Sequence, residues 1–149
     1  MKVSDFLVAD NVSAGVAAAD KRKLLSELAQ RAGPAVGIPA DRILSELCKR
    51  EDLGSTGVGG GVAIPHARFH QLGKPFGMLL RLKKAIDFDA VDGKPVDTIV
   101  LLLLPEGSNG GDQLSALACI ARKLRDPPTI AAVRAARDGS QIYRTLATE

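Results

Sequence analysis

Apolar residues recur at helical spacing in the first third of the chain, condense into an aliphatic block in the middle, and return to helical spacing at the end. Leu24, Leu25 and Leu28 share one face of a helix expected over residues 21–32, with Asp20 as its cap and Gly33-Pro34 as its stop. A second helix is expected over residues 39–50. Ile43, Leu44, Leu47 and Cys48 form its stripe, and Pro39 and Asp41 suit its first turn. Residues 62–64 and 77–82 read as strands, and residues 88–93 as an extended segment entering a turn. The uninterrupted apolar run over 98–104, closed by Pro105, fits a central strand covered on both faces.

Residues 108–111 read as a loop, after which Asp112 is placed to cap a helix to residue 125. Leu114, Leu117, Ala121 and Leu124 are its expected core face. Asp126-Pro127-Pro128 breaks the chain before two shorter helices, 129–137 and 140–146. Ahead of the first helix, residues 3–19 offer only the cluster Phe6-Leu7-Val8 and then small residues, and read as an irregular lead-in with one short strand or turn. Helices, then strands, then helices imply a sheet with helices packed on it. No repeat, low-complexity tract or long linker divides the 149 residues, so a single domain is expected.

Composition narrows the function classes. Hydrophobic residues make up 46% and charged residues 25%, as in ordinary globular proteins, and aromatics only 3%, so the core must be aliphatic and base-stacking platforms are disfavoured. The net charge of +3 is spread over several helix faces rather than concentrated in the basic stripe that nucleic acid requires, so no nucleic-acid partner is expected. The purely aliphatic run over 99–104 is far too short to span a bilayer, and no secretory signal opens the chain; membrane insertion is not expected, and a cytoplasmic location is. Cys48 and Cys119 fall at apolar helical positions and read as buried thiols, not as a disulfide or a zinc pair.

The candidate chemistry lies in residues 54–68, GSTGVGGGVAIPHAR, with five glycines, a Ser-Thr pair, and then Pro65, His66 and Arg68. Glycines let a backbone approach a ligand closely, and loop N–H groups can cradle phosphate oxygens; a tight turn is the plainer reading. No Gly-Lys-Ser/Thr ends the loop and no dinucleotide fingerprint spacing is present. Pro65 stiffens the approach to His66, one of only two histidines. Four readings of His66 stay open: a metal ligand with His70, a general base for Ser55 or Thr56, a nucleophile that takes a phosphoryl group, or a plain surface histidine. Arg50 and Arg68 are the candidate charge partners of a phosphoryl group, with solvated surface charges as the plainer alternative.

The motif Arg50-Glu51-Asp52-Leu53-Gly54-Ser55-Thr56-Gly57 followed by Gly61-Val62-Ala63-Ile64-Pro65-His66 resembles the type-2 (mannitol/fructose and nitrogen-regulatory) enzyme IIA domains of the bacterial phosphoenolpyruvate-dependent sugar phosphotransferase system. The stretch AIDFDAVDGKPVD at 85–97, running into LLLLP, resembles most closely the nitrogen-regulatory branch. The resemblance covers nearly the whole chain. It implies an α/β fold with a mixed central sheet flanked by helices. It also implies that His66 is transiently phosphorylated by a histidine phosphocarrier protein (HPr-like or NPr-like), that Arg50 is the active-site arginine, and that Thr56 lies in the active-site loop. No metal or other cofactor is implied. Regulatory targets such as sensor kinases or potassium transporters are the partners the branch implies.

One position departs from the pattern. Where the family carries a second active-site histidine in a His-Leu pair, this chain reads Asp112-Gln113-Leu114. Gln113 can hydrogen-bond but cannot titrate. Slower transfer or a mainly regulatory role is the expectation, with a sugar-specific IIA subunit or a binding module that has lost phosphorylation as the alternatives.

Overall fold

The computed structural model describes residues 1–107 and 110–148, and of residues 110–113 the backbone alone. Two 3₁₀ turns, Val3–Asp5 and Ala9–Asn11, lead into strand β1 (Val12–Val16). Helices α1 (Lys21–Val36) and α2 (Ala40–Asp52) follow, then strands β2 (Gly57–Gly59), β3 (Val62–Ala63), β4 (His66–Phe69), β5 (Phe76–Ile86) and β6 (Val96–Pro105). Helices α3 (Gly110–Arg125), α4 (Pro127–Ala135) and α5 (Gly139–Ala147) complete the chain. The sheet runs β1-β5-β6-β3-β2, with β4 also paired to β6. It is mixed: β1/β5, β3/β6 and β4/β6 are parallel, whereas β5/β6 and β2/β3 are antiparallel.

Strand β6 is the keel. Its side chains alternate between two cores, as strand geometry requires. Ile99, Leu101 and Leu103 pack with Leu24, Leu28, Ile43 and Leu47 of α1 and α2. Val100, Leu102 and Leu104 pack with Ile120, Leu124, Val133, Ile142 and Leu146 of α3 to α5. All of residues 98–104 are buried, which is the two-sided covering expected of an uninterrupted apolar run.

Several expected boundaries move, each for a local reason. Helix α1 does not stop at Gly33-Pro34 but carries Pro34 in its last turn. The stop is Gly37, at φ 71, whose N–H bonds the Gly33 carbonyl at 2.8 Å in a left-handed cap. Gly33 serves the fold differently: a Cβ there would meet the Ile38 carbonyl oxygen at 2.9 Å, where the chain doubles back. Helix α3 begins at Gly110, ahead of the expected Asp112 cap. Its buried core side is Ala116, Cys119, Ile120 and Leu124, and the expected Leu117 and Ala121 pack against it half-buried; Leu114, assigned to the core face by spacing, is instead 70% exposed. Cys48 and Cys119 are both free thiols, Cys119 buried and Cys48 partly so. Among the described residues no helix is long and apolar enough to cross a membrane.

Candidate functional site

Strands β3 and β4 pair with successive lengths of the same edge of β6: Val62 and Ala63 lie opposite Thr98 and Ile99, and His66 to Phe69 lie opposite residues 102–105. Ile64-Pro65 interrupts them. Pro65 has no N–H to give, yet its carbonyl accepts from the Leu102 N–H at 3.0 Å, so the chain stays pinned to β6 across the break. His66 therefore opens a strand and is not carried on a free loop. Ala67 and Phe69 are buried on one face of β4, which leaves His66 and Arg68 together on the other.

The imidazole is oriented by its own chain. Nδ1 lies 2.9 Å from the Ile64 carbonyl oxygen. A carbonyl only accepts, so the contact places the ring proton on Nδ1 and leaves the Nε2 lone pair free. Burial holds the pKa of His66 below its ordinary 6.5; the Ile64 hydrogen bond opposes this, the Arg50 charge adds to it, Glu51 opposes it and Arg68 adds again. The neutral form, the one with a nucleophilic nitrogen, is thus favoured at neutral pH.

His66 lines an open cleft of about 330 Å³ with Glu46, Lys49, Arg50, Leu53, Ala67, Arg68 and Glu106. Arg50, in the last turn of α2, donates from Nη1 to the Gly54 carbonyl at 2.9 Å. Arg68 follows from β4. Two guanidinium groups and one accessible ring nitrogen share the cleft, an arrangement suited to an anion with several oxygens, while Lys49 is paired with Glu46 at 3.0 Å. Leu53, 85% exposed, stands at its rim.

The other expected residues divide. Thr56 is buried, and its hydroxyl donates to Glu51 Oε2. The Ser55 hydroxyl donates to the Phe88 carbonyl at 2.8 Å and accepts from the Gly57 N–H. Both hydroxyl protons are committed away from His66, so nothing in this arrangement pairs the imidazole with a serine or threonine nucleophile. His70 lies in the turn beyond β4, and among the described residues no group of three His, Cys, Asp or Glu is placed to hold a metal ion. Gln113 lies outside the residues whose side chains are described.

The glycines do not cradle the cleft. Gly57, Gly59, Gly60 and Gly61 form the β2–β3 hairpin, the last three at positive φ, while Gly54 lies in the turn after α2. That hairpin is tied elsewhere: the Gly60 N–H to Asp92 Oδ2 at 3.0 Å, and the Gly60 carbonyl to Arg134, which also pairs with Asp97 at 3.1 Å. None of Gly57, Gly59, Gly60 or Gly61 lines the His66 cleft. Sequence reasoning also passed over Glu51 and Lys21. The Glu51 side chain is only 5% exposed and its carboxylate binds Thr56 and Lys21. The signal for Glu51 was an acidic residue beside Arg50, five places before a buried-type threonine.

The model of the family described as phosphoenolpyruvate-dependent sugar phosphotransferase system, EIIA 2, matches residues 5–149. The chain is 43% identical over 147 residues to a nitrogen regulatory protein of Bradyrhizobium diazoefficiens, covering 99% of this chain and 95% of that one. Among solved structures it is similar to nitrogen regulatory protein IIA-Ntr of Neisseria meningitidis, with a TM-score of 0.91 at 28% identity over 97% of this chain and 98% of that one. The fold is also that of enzyme IIA-mannitol of Escherichia coli, solved in complex with phosphorylated enzyme IIB-mannitol (TM-score 0.79, 14% identity, 95% and 96% covered).

Proposed function

The chain belongs to the EIIA type-2 family of the phosphoenolpyruvate-dependent sugar phosphotransferase system, and on that premise we propose that it is a cytoplasmic, phosphoryl-accepting regulatory enzyme IIA whose acceptor atom is Nε2 of His66. The phosphoryl donor is a phosphohistidine on a small phosphocarrier protein. The His66 Nε2 lone pair forms the new N–P bond, the donor's N–P bond breaks, and its electron pair returns to the donor ring. Nδ1 keeps its proton throughout, and the Ile64 carbonyl, accepting from that N–H, stabilises the positive charge that develops on the ring. Arg50 and Arg68 meet the charge spread over the phosphoryl oxygens, which is where phosphoryl transfer gains most of its acceleration.

The observation that carries this reading is the Nδ1 to Ile64 contact, because it turns a neutral ring's single free nitrogen toward solvent in a cationic cleft. The regulatory branch is favoured by the relatives, of which the Bradyrhizobium protein is a nitrogen regulatory protein. A phosphoryl group adds close to two negative charges, enough to change which protein docks here; a sensor kinase or a potassium transporter is a target of the proposed kind. Incubation with phosphoenolpyruvate, enzyme I and the phosphocarrier, followed by intact mass, tests the core of the reading. An acid-labile adduct that disappears in His66→Ala is expected, and no adduct under forcing conditions refutes it. Onward transfer to a IIB domain would instead identify a sugar-specific subunit.

A further inference from the structure

We propose that Glu51 is a positioning residue of this site: held by Lys21, its carboxylate fixes the turn between α2 and β2 so that the Gly54 carbonyl keeps the Arg50 guanidinium in the His66 cleft. The inference rests on the reading of His66 as phosphoryl acceptor. Both Glu51 oxygens are engaged. Oε1 accepts from the Thr56 N–H at 3.1 Å and pairs with Lys21 Nζ at 3.0 Å, while Oε2 accepts from the Thr56 hydroxyl. A carboxylate so nearly buried is strongly unfavourable without a cation. Lys21, the first residue of α1, supplies one, with its ammonium 4.6 Å from the Phe88 ring centroid and within 3.7 Å of Asp89.

These bonds close a small loop. Arg50 and Glu51 stand in the last turn of α2, and Thr56 is bound back to Glu51 from the far side of the turn. Between them the Leu53 and Gly54 N–H groups bond the Arg50 and Glu51 carbonyls at 3.2 and 3.1 Å. The Gly54 carbonyl is thereby left to receive Arg50 Nη1. Without the tie to Thr56, the turn has no side-chain bond between Glu51 and the hairpin, and the acceptor that aims Arg50 is free to shift. Glu51 also acts on His66 through its charge, but Thr56→Val removes the hydroxyl bond to Oε2 while leaving the Thr56 N–H bond to Oε1 and that charge in place, so the hydroxyl's share of the geometry is separable from the charge.

The experiment measures the rate of His66 phosphorylation from phosphoenolpyruvate through enzyme I and the phosphocarrier, with thermal unfolding followed in parallel. Glu51→Gln and Thr56→Val should each slow transfer by about tenfold or more, and Thr56→Ser should recover most of the loss seen in Thr56→Val. In an Arg50→Ala background the same substitutions should add little, because they act through the same guanidinium. Losses that multiply in the double variants, or full rates in both folded Glu51→Gln and folded Thr56→Val, overturn the proposal. Relaxation of the Arg50 Nε–H signal gives a second reading that needs no phosphorylation. Order in the natural protein and mobility in Glu51→Ala, which removes both bonds to Thr56, are expected, and equal order in both overturns the proposal. If the natural protein accepts no phosphoryl group, the reading of His66 falls and this relaxation measurement alone decides the role of Glu51.

Discussion

Because the Ile64 carbonyl holds a proton on Nδ1, His66 offers chemistry at Nε2 only while the ring is neutral. Its pKa lies below 6.5, with burial the largest cause, so the native state binds fewer protons at this ring than the unfolded chain does. The stability contribution of the neutral ring is therefore present above 6.5 and lost as the pH falls through the lowered native value. Phosphorylation should be insensitive to pH above 6.5 and fall on acidification below it, with no loss on the alkaline side until other groups titrate. Over the same acidification the natural protein should lose more unfolding stability than His66→Asn, which keeps an N–H near the Ile64 carbonyl but cannot titrate; equal losses would remove burial as the cause. At Gln113, where the resemblance implies the family's second histidine, Gln113→His should raise the transfer rate, and equal rates in stopped-flow or quenched-flow assays would end the idea that this position limits it.

At the scale of elements, the hairpin between β2 and β3 separates what the sequence makes legible from what it does not. Five glycines beside a histidine read equally as a phosphate cradle and as a tight turn, because glycine permits both. The turn prevails because of partners far along the chain: Asp92 and Arg134 seize Gly60, and Arg134 leaves no room for a side chain at Gly61. Nothing local announces pairs separated by 32 and 74 positions. Gly61→Ala should cost about 1–3 kcal/mol in chemical denaturation, since φ is 81 there and the added carbon displaces Arg134. The same substitution should leave phosphorylation of the folded fraction near normal, as the hairpin tip lies outside the cleft. Strong periodicity, by contrast, was readable: α2 and the apolar run of β6 lie where expected. Strand β1 was readable only as one short strand or turn somewhere in residues 3–19, because Ser13-Ala14-Gly15 carries neither alternation nor β-branched bulk, and its place is set by pairing with β5. Leu114 failed for the opposite reason. Spacing placed it with Leu117, Ala121 and Leu124, which do pack, but the packed face is centred on Ala116, Ile120 and Leu124 and leaves Leu114 outside it.

Seen as a whole molecule, two aliphatic cores share one strand, and substitutions in β6 should be felt globally. Leu101→Ala, at a fully buried position facing α1 and α2, should destabilise by about 2–5 kcal/mol, measured as a shift in denaturant midpoint with little change in slope. The bond from the Leu102 N–H to the Pro65 carbonyl joins the acceptor residue's own segment to that shared strand. An amide there exchanges with solvent only when the central strand comes apart, so its exchange rate reports global unfolding and not local breathing. The backbone beneath the proposed acceptor is then as durable as the protein itself, and a bound phosphoryl group has no soft hinge at Pro65 through which to pull. On the proposed reading, a phosphoryl group on His66 is then sensed at the outer surface, by a visitor that responds to its charge.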